Sequence, residues 1–164
     1  MVTSLQLFTD FHTAISLVAL VFGGPALLTL FKKFPNAMPS VTAFLALAFT
    51  STLTGFFFPF HGFTPAIGVG IVTMVIFTVM YVAYKRGLTG VWRPVFALGM
   101  VAQEFFLVFV TIAQSFQKIP ALNMFASTSS EPAFPIAAGT AFIVFAVIGG
   151  LAAIKFKPFS RTGR

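Results

Sequence analysis

Three side chains of this sequence are the best equipped for chemistry: Glu104, His12 and His61. Glu104 lies in the middle of a long apolar run. A lone ionised carboxylate in such a helix costs roughly 2.5 kcal/mol or more in a bilayer, so it is carried as the neutral acid or is paired. Arg93, the nearest cation in sequence, is about three helical turns away, too far for direct contact along one helix. Two readings stay open: a proton-carrying or ligand-binding carboxyl, and a protonated Glu that hydrogen-bonds a neighbouring helix. At about 100° per residue, Gln103, Glu104, Thr111, Gln114, Gln117 and Lys118 fall within an arc of roughly 140°. Phe105, Phe109, Ile112 and Phe116 occupy the opposite face, which reads as the lipid side, with the polar arc meeting protein or water.

The histidines suggest a second centre. His12 sits about one turn inside its apolar run and His61 at the end of the next. With Gln114, Gln117, Lys118 and Asp10 they form a polar cluster drawn from three helices. Two imidazoles from facing helices are the minimum for haem b, and a metal held by His12 and His61 needs a further ligand such as Asp10. A quinone head group needs less, one or two donors and aromatic walls, and Phe56, Phe57, Phe58 and Phe60 supply such walls. The sequence contains no HExxH, no G-x-S-x-G and no Walker loop. It has no cysteine, which excludes disulfides and thiolate chemistry. No catalytic motif is found, and the reading leans away from an enzyme.

The elements that position these residues follow from composition. Of 164 residues, 58% are hydrophobic, 8% are charged and 24 are Phe. Soluble domains carry about 25% charged residues, so lipid must cover much of this surface. A spanning helix needs roughly 20 apolar residues. The pattern predicts an all-α integral membrane bundle, one domain over 1–164, with five transmembrane helices at about 11–31, 40–60, 65–84, 93–117 and 133–154. Pro35, Asn36 and Pro39 break the chain after the first span, His61-Gly62 makes the second turn, and 118–132 reads as a loop. The first ten residues carry no Lys or Arg, so a cleaved signal peptide is not expected.

The net charge of +7 does not indicate nucleic acid, because the cations lie in short clusters between apolar runs. Lys32 and Lys33, then Lys85, Arg86 and Arg93, then Lys155, Lys157, Arg161 and Arg164 share one side of a five-span chain. Only Lys118, of ten cations, falls on the other. The positive-inside rule therefore places the N-terminus outside and the C-terminus in the cytoplasm. Small residues at helical spacing, His12-Ser16-Ala19-Gly23 in span one and Gly139-Ala146-Gly150-Ala153 in span five, read as helix-packing stripes. Gly23-Gly24-Pro25 is expected to kink span one. Thr50, Ser51, Thr52 and Thr54 return hydrogen bonds to their own backbone and are not counted as a site.

The segments TGFFFPFHGFTPAIGVGI (54–71), FHTAISLVAL (11–20), QSFQKIPAL (114–122) and SEPAF (130–134) resemble a group of small bacterial membrane proteins of about five helices with no known activity. AQEFF (102–106) departs from the Asn-containing stretch expected there. The resemblance implies a bacterial inner-membrane location and groups His12, His61, Gln114, Gln117, Lys118, Glu131 and Pro132 as outer-side motif residues. The expected function is binding of a small ligand or redox cofactor, quinone or haem, at the outer polar cluster. The alternatives are an accessory subunit of a larger membrane complex and a proton or small-solute pathway through Glu104. The expected partners are membrane lipid and either further copies of the chain or other membrane subunits, with no nucleic acid.

Overall fold

A computed structural model describes residues 3–32, 37–59, 62–126, 128 and 130–158. The described chain is helical throughout: α1 (Ser4–Leu28), α2 (Ala37–Gly55), α3 (Pro65–Lys85), α4 (Trp92–Lys118), the short α5 (Pro120–Asn123) and α6 (Ala133–Lys155). All but α5 are long and apolar enough to cross a membrane. Every long helix exposes large apolar side chains, among them Val21 (71%), Val75 (57%) and Ile143 (65%). Exposure on that scale is what a hydrocarbon solvent permits and water does not.

The ends are set by local chemistry that hydropathy does not register. Helix α1 begins at Ser4 rather than at 11, because the Thr3 hydroxyl accepts the Gln6 N–H at 3.2 Å and caps the first turn. It runs helical through Gly23-Gly24-Pro25 and stops at Leu28, where Thr29 and Leu30 donate back to Ala26 and Leu27 in tight turns. Helix α2 ends at Gly55, short of 60, as Phe56 and Phe57 turn onto Leu53 and Thr54. Helix α3 starts on Thr64, whose hydroxyl caps Ile67, with Pro65 in the first turn. It finishes with a left-handed Gly87 (φ 74°): Gly87 N–H donates to Tyr84 O and Leu88 N–H to Ala83 O. Paired bonds of this kind satisfy the last carbonyls of a helix, and Leu88, itself at φ 55°, turns inward and is buried. The connection expected as a plain loop contains α5, and Asn123 Nδ2 donates to the Phe116 carbonyl at 3.0 Å, closing the end of α4.

Neighbouring long helices run antiparallel. His12 meets Thr54 and Ser16 meets Ser51 between α1 and α2. Phe49 packs edge-on against Phe77 between α2 and α3. Gln103 reaches Thr73 between α4 and α3, and Phe116 and Phe96 of α4 meet Phe134 and Phe156 at the two ends of α6. This order gathers Lys32, Lys85, Arg86, Arg93, Lys155 and Lys157 at one end of the bundle, the basic end, with Lys118 at the other. Lys33, Arg161 and Arg164 lie outside the described residues.

Helix α4 is the hub and touches α1, α2, α3, α5 and α6. Its Phe face is not the lipid side. Phe105 packs against Phe142 and Phe145, and Phe109 and Phe116 against Phe134, all from α6. The small-residue stripe on α6 is also shifted. Gly139 and Gly150 face open space, and the close approach to α4 is made by Gly149 and Ala152, with Leu98 3.3 Å from where a Gly149 Cβ would stand. The α1 stripe packs as expected, with Ala19 and Gly23 buried.

The core is lopsided. Leu30, Val41, Phe44, Met80, Ala83, Leu88, Phe96, Met100, Ala152 and Phe156, all buried, belong to the basic half. In the opposite half of α4, no residue from Phe105 to Lys118 is fully buried. The α3–α4 contact depends on Gly99, where a Cβ would overlap the Met80 side chain. Gly99→Leu is expected to destabilise the bundle by about 1–3 kcal/mol, the usual range for overpacking. Met80→Ala in the same chain should recover most of that loss, measured by denaturant unfolding in micelles followed by circular dichroism.

Candidate functional site

Glu104 faces α1. Position 23 is glycine because the Glu104 carboxyl occupies the space a methyl there would need. The carboxyl is 5% exposed, and its Oε2 has no hydrogen-bond partner. Buried polar groups are nearly always partnered, and an orphan calls for an explanation such as a water, ion, proton or ligand. A carboxyl holding the bundle together by bonding a neighbouring helix would show such a bond, and none engages Oε2.

Gln103, next in sequence, turns to a different helix. Its side chain is 2% exposed, and Nε2 donates to the Thr73 carbonyl of α3 at 2.9 Å. The polar arc of α4 therefore splits. Glu104, Thr111 and Lys118 stack on the α1 side, while Gln114 and Gln117 lie above Gln103 toward α3 by helical register. Gln114 and Gln117 are exposed, and Thr111 Oγ1 returns its proton to the Leu107 carbonyl at 2.7 Å.

Gly23 against Glu104 sets the register of the antiparallel α1–α4 pair. At 1.5 Å per residue, about 10 Å further from the basic end brings Ser16 level with Thr111, and about 17 Å brings His12 level with Ser115. Lys118, one turn beyond, lies within electrostatic reach of the His12 imidazole. Along the α1–α4 seam, Glu104 at midspan is thus followed on α4 by Thr111 and Lys118 toward the open end, while His12 and Ser16, at the same levels on α1, bond to α2.

His12 is held on its other flank. Its Nδ1 lies 2.8 Å from Thr54 Oγ1, and that hydroxyl also donates to Thr50 O at 2.8 Å. One hydroxyl proton serves one strong bond, so Thr54 accepts from His12, and the proton of the neutral ring sits on Nδ1. Nε2 then carries the lone pair. Phe58 contacts the ring edge-on at 5.2 Å between centroids, and Gly55 leaves room beside Cε1. One turn below, Ser16 Oγ donates to the His12 carbonyl and meets Ser51 Oγ, each at 2.7 Å. Thr54 and Ser51, read from sequence as satisfied within their own helix, are interhelical partners as well. The signal available in advance was the matched spacing, His12-Ser16 against Ser51-Thr54.

His61 and Phe60 lie outside the described residues. Of the residues expected to form the cluster, Lys118 lies within electrostatic reach of His12 without a hydrogen bond to it among the described residues, Gln114 and Gln117 line the neighbouring side of α4, and Asp10 is exposed. Among the described residues, no three His, Asp or Glu side chains gather as a metal site.

No family model matches the chain, and neither a curated protein nor a solved structure does.

Gly23→Ala is expected to cost about 1–3 kcal/mol of stability, because the methyl displaces the Glu104 carboxyl in a packed contact. Gly23→Ala with Glu104→Ala should be more stable than Gly23→Ala alone. A double-mutant cycle with a coupling energy near zero would show that the two residues do not touch.

Proposed function

We propose that the chain is a multi-pass protein of a bacterial inner membrane, with its N-terminus outside and its basic end in the cytoplasm, that binds a small carbonyl-bearing ligand of the quinone type from the outer side. The observation that carries this reading is the Glu104 carboxyl, buried at midspan between α1 and α4 with an oxygen that has no partner. The distribution of nine of ten cations supports the orientation. The lopsided core supports a site open at one end only: large apolar side chains close the basic half, and none of Phe105–Lys118 is sealed in the other. A proton or solute path through one protomer would need access from both ends.

The residue types favour a hydrogen-bonded ligand over a ligated one. As the neutral acid, the form a midspan location favours, Glu104 offers an O–H to a carbonyl. Lys118 adds donors at the mouth, and Phe58 and Phe8, in ring contact at 5.0 Å, supply an aromatic wall beside His12. Haem would need His61, which lies outside the described residues, to join His12 in holding it.

The detergent-purified protein is expected to bind a short-chain benzoquinone or naphthoquinone, read by calorimetry. Glu104→Leu and Lys118→Ala, which each remove a donor, should each weaken binding about tenfold, the effect of losing one hydrogen bond to a charged or strongly polar group, with unchanged helicity. Absence of binding would sink the proposal, and a Soret band in the purified protein would replace the quinone with haem.

A second reading, an accessory subunit of a larger membrane assembly, is favoured by the unsealed half and by the outward-facing Gly139 and Gly150 of α6. Native mass in mild detergent separates the two. A stoichiometric foreign subunit supports the assembly, and a lone chain or homo-oligomer argues against it.

A further inference from the structure

A groove runs along the outside of the bundle between α3 and α4, on the face away from the α1–α4 seam. It has a volume of about 240 Å³ and is lined by Val75, Val79 and Met80 on one bank and Leu98, Gly99 and Ala102 on the other. Its walls are apolar, and Val75, Val79 and Leu98 are each at least 40% exposed. The groove exists because Gly99 and Ala102 are short where α4 passes α3. The lining residues recur every three or four positions on each helix, so the groove lies parallel to the helix axes. An acyl chain takes that direction in a bilayer.

The groove does not end in apolar surface. On α4 the stripe Ala102, Gly99, Val95 continues to Trp92, and on α3 the stripe Val75, Val79 continues to Arg86, the residue that caps the helix. There the Arg86 guanidinium lies over the Trp92 ring, 5.8 Å from its centroid. The contact is of cation–π length, and Arg86 remains an exposed residue. Beside it, Lys85 lies over Tyr81 at 5.8 Å. The chain has three acidic residues. Asp10 and Glu131 belong to the opposite end and Glu104 to midspan, so no Asp or Glu side chain is placed to neutralise the basic end, which leaves it complementary to an external anion.

We propose that this groove and the Arg86–Trp92 pair form a binding site for one anionic phospholipid, with its acyl chain in the groove and its phosphate at Arg86. The planar fork of Arg suits a phosphate oxygen pair, and the indole N–H of Trp92 adds a donor at headgroup level. The site is independent of the ligand seam between α1 and α4 and stands or falls apart from it.

Trp92 is the only tryptophan, so its fluorescence reports on the site directly. The full chain is reconstituted in phosphatidylcholine vesicles with a small fraction of lipid carrying brominated acyl chains, as phosphatidylglycerol or as phosphatidylcholine. Brominated phosphatidylglycerol is expected to associate with Trp92 about fivefold more strongly, the size of effect one basic residue has at an anionic surface. Arg86→Gln should bring the two lipids to parity, and Val79→Phe, which fills the groove, should reduce quenching by both. Lys85→Gln, a surface control of the same charge change, should leave most of the preference in place. Equal quenching in the unsubstituted chain, or a preference that survives Arg86→Gln, overturns the proposal. Quenching that falls in both lipids alike as the protein-to-lipid ratio rises would also overturn it, since a second copy of the chain would then occupy the groove.

Discussion

Helix α4 is held on three sides by contacts that each depend on a missing side chain. Gly23 of α1 accepts the Glu104 carboxyl, Gly99 of α4 accepts Met80 of α3, and Gly149 of α6 accepts Leu98 and Val101. Between helices surrounded by lipid there is no hydrophobic gain from association, and close backbone approach with dense van der Waals contact takes its place. All three glycines lie between midspan and the basic end, and so does nearly all of the buried core. The lopsided packing and the position of the glycines are one fact seen twice. Where a bare backbone lets α4 come close, the bundle is sealed, and where bulky Phe residues intervene it is not.

The same geometry sorts the polar groups. Gln103 fits into the sealed half because the Thr73 carbonyl is within its reach. His12, Ser16, Ser51 and Thr54 satisfy one another across α1 and α2 and join those helices at the open end, where little else packs them. Bonds of this kind are worth about 0.6 kcal/mol on average in membranes, so they orient more than they stabilise. Glu104 differs from all of these. It is as deeply buried as Gln103, one residue away, yet an oxygen of the costlier group is unpartnered. An unpaired carboxyl at the seam between two helices is a poor structural device, because an apolar side chain of similar volume would pack there without the desolvation cost.

Much of this was legible in the sequence. Five apolar runs gave five long helices, and the α1 stripe from His12 to Gly23 was readable because small and polar residues recurred at helical spacing. Glu104 stood out because a charge-bearing residue is rare in such a run. What was not legible depended on which helix is whose neighbour. The Phe face of α4 looks like a lipid face until α6 is placed against it, and the α6 stripe at Gly139 and Gly150 is indistinguishable by spacing from the one at Gly149 and Ala152 that makes the contact. The arc of six polar residues on α4 could not be divided between α1 and α3 without knowing that both helices flank it. Helix ends were missed where caps decide them, at Thr3 and at Gly87-Leu88, since hydropathy averages over single-residue signals.

The boundary between the sealed and open halves falls at Glu104, and this placement bears on what the carboxyl can do. A group deep in the sealed half would be cut off from solutes on either side, and one high in the open half would be solvated and chemically ordinary. At the boundary it lies on the basic side of His12 and Lys118, with Phe96, Met100, Leu30 and Phe44 beneath it. Moving Glu104 into contact with the basic end would require α4 to slide past three glycine contacts, each with a side chain already seated in it. Packed interfaces of that sort change between discrete arrangements and do not deform smoothly. Alternation between sides would demand a second, equally well-packed seating of α4, and the next buried small residue of α1 toward the basic end, Ala26, carries a methyl where Gly23 leaves space for the carboxyl, so this packing favours the proposed one-sided site.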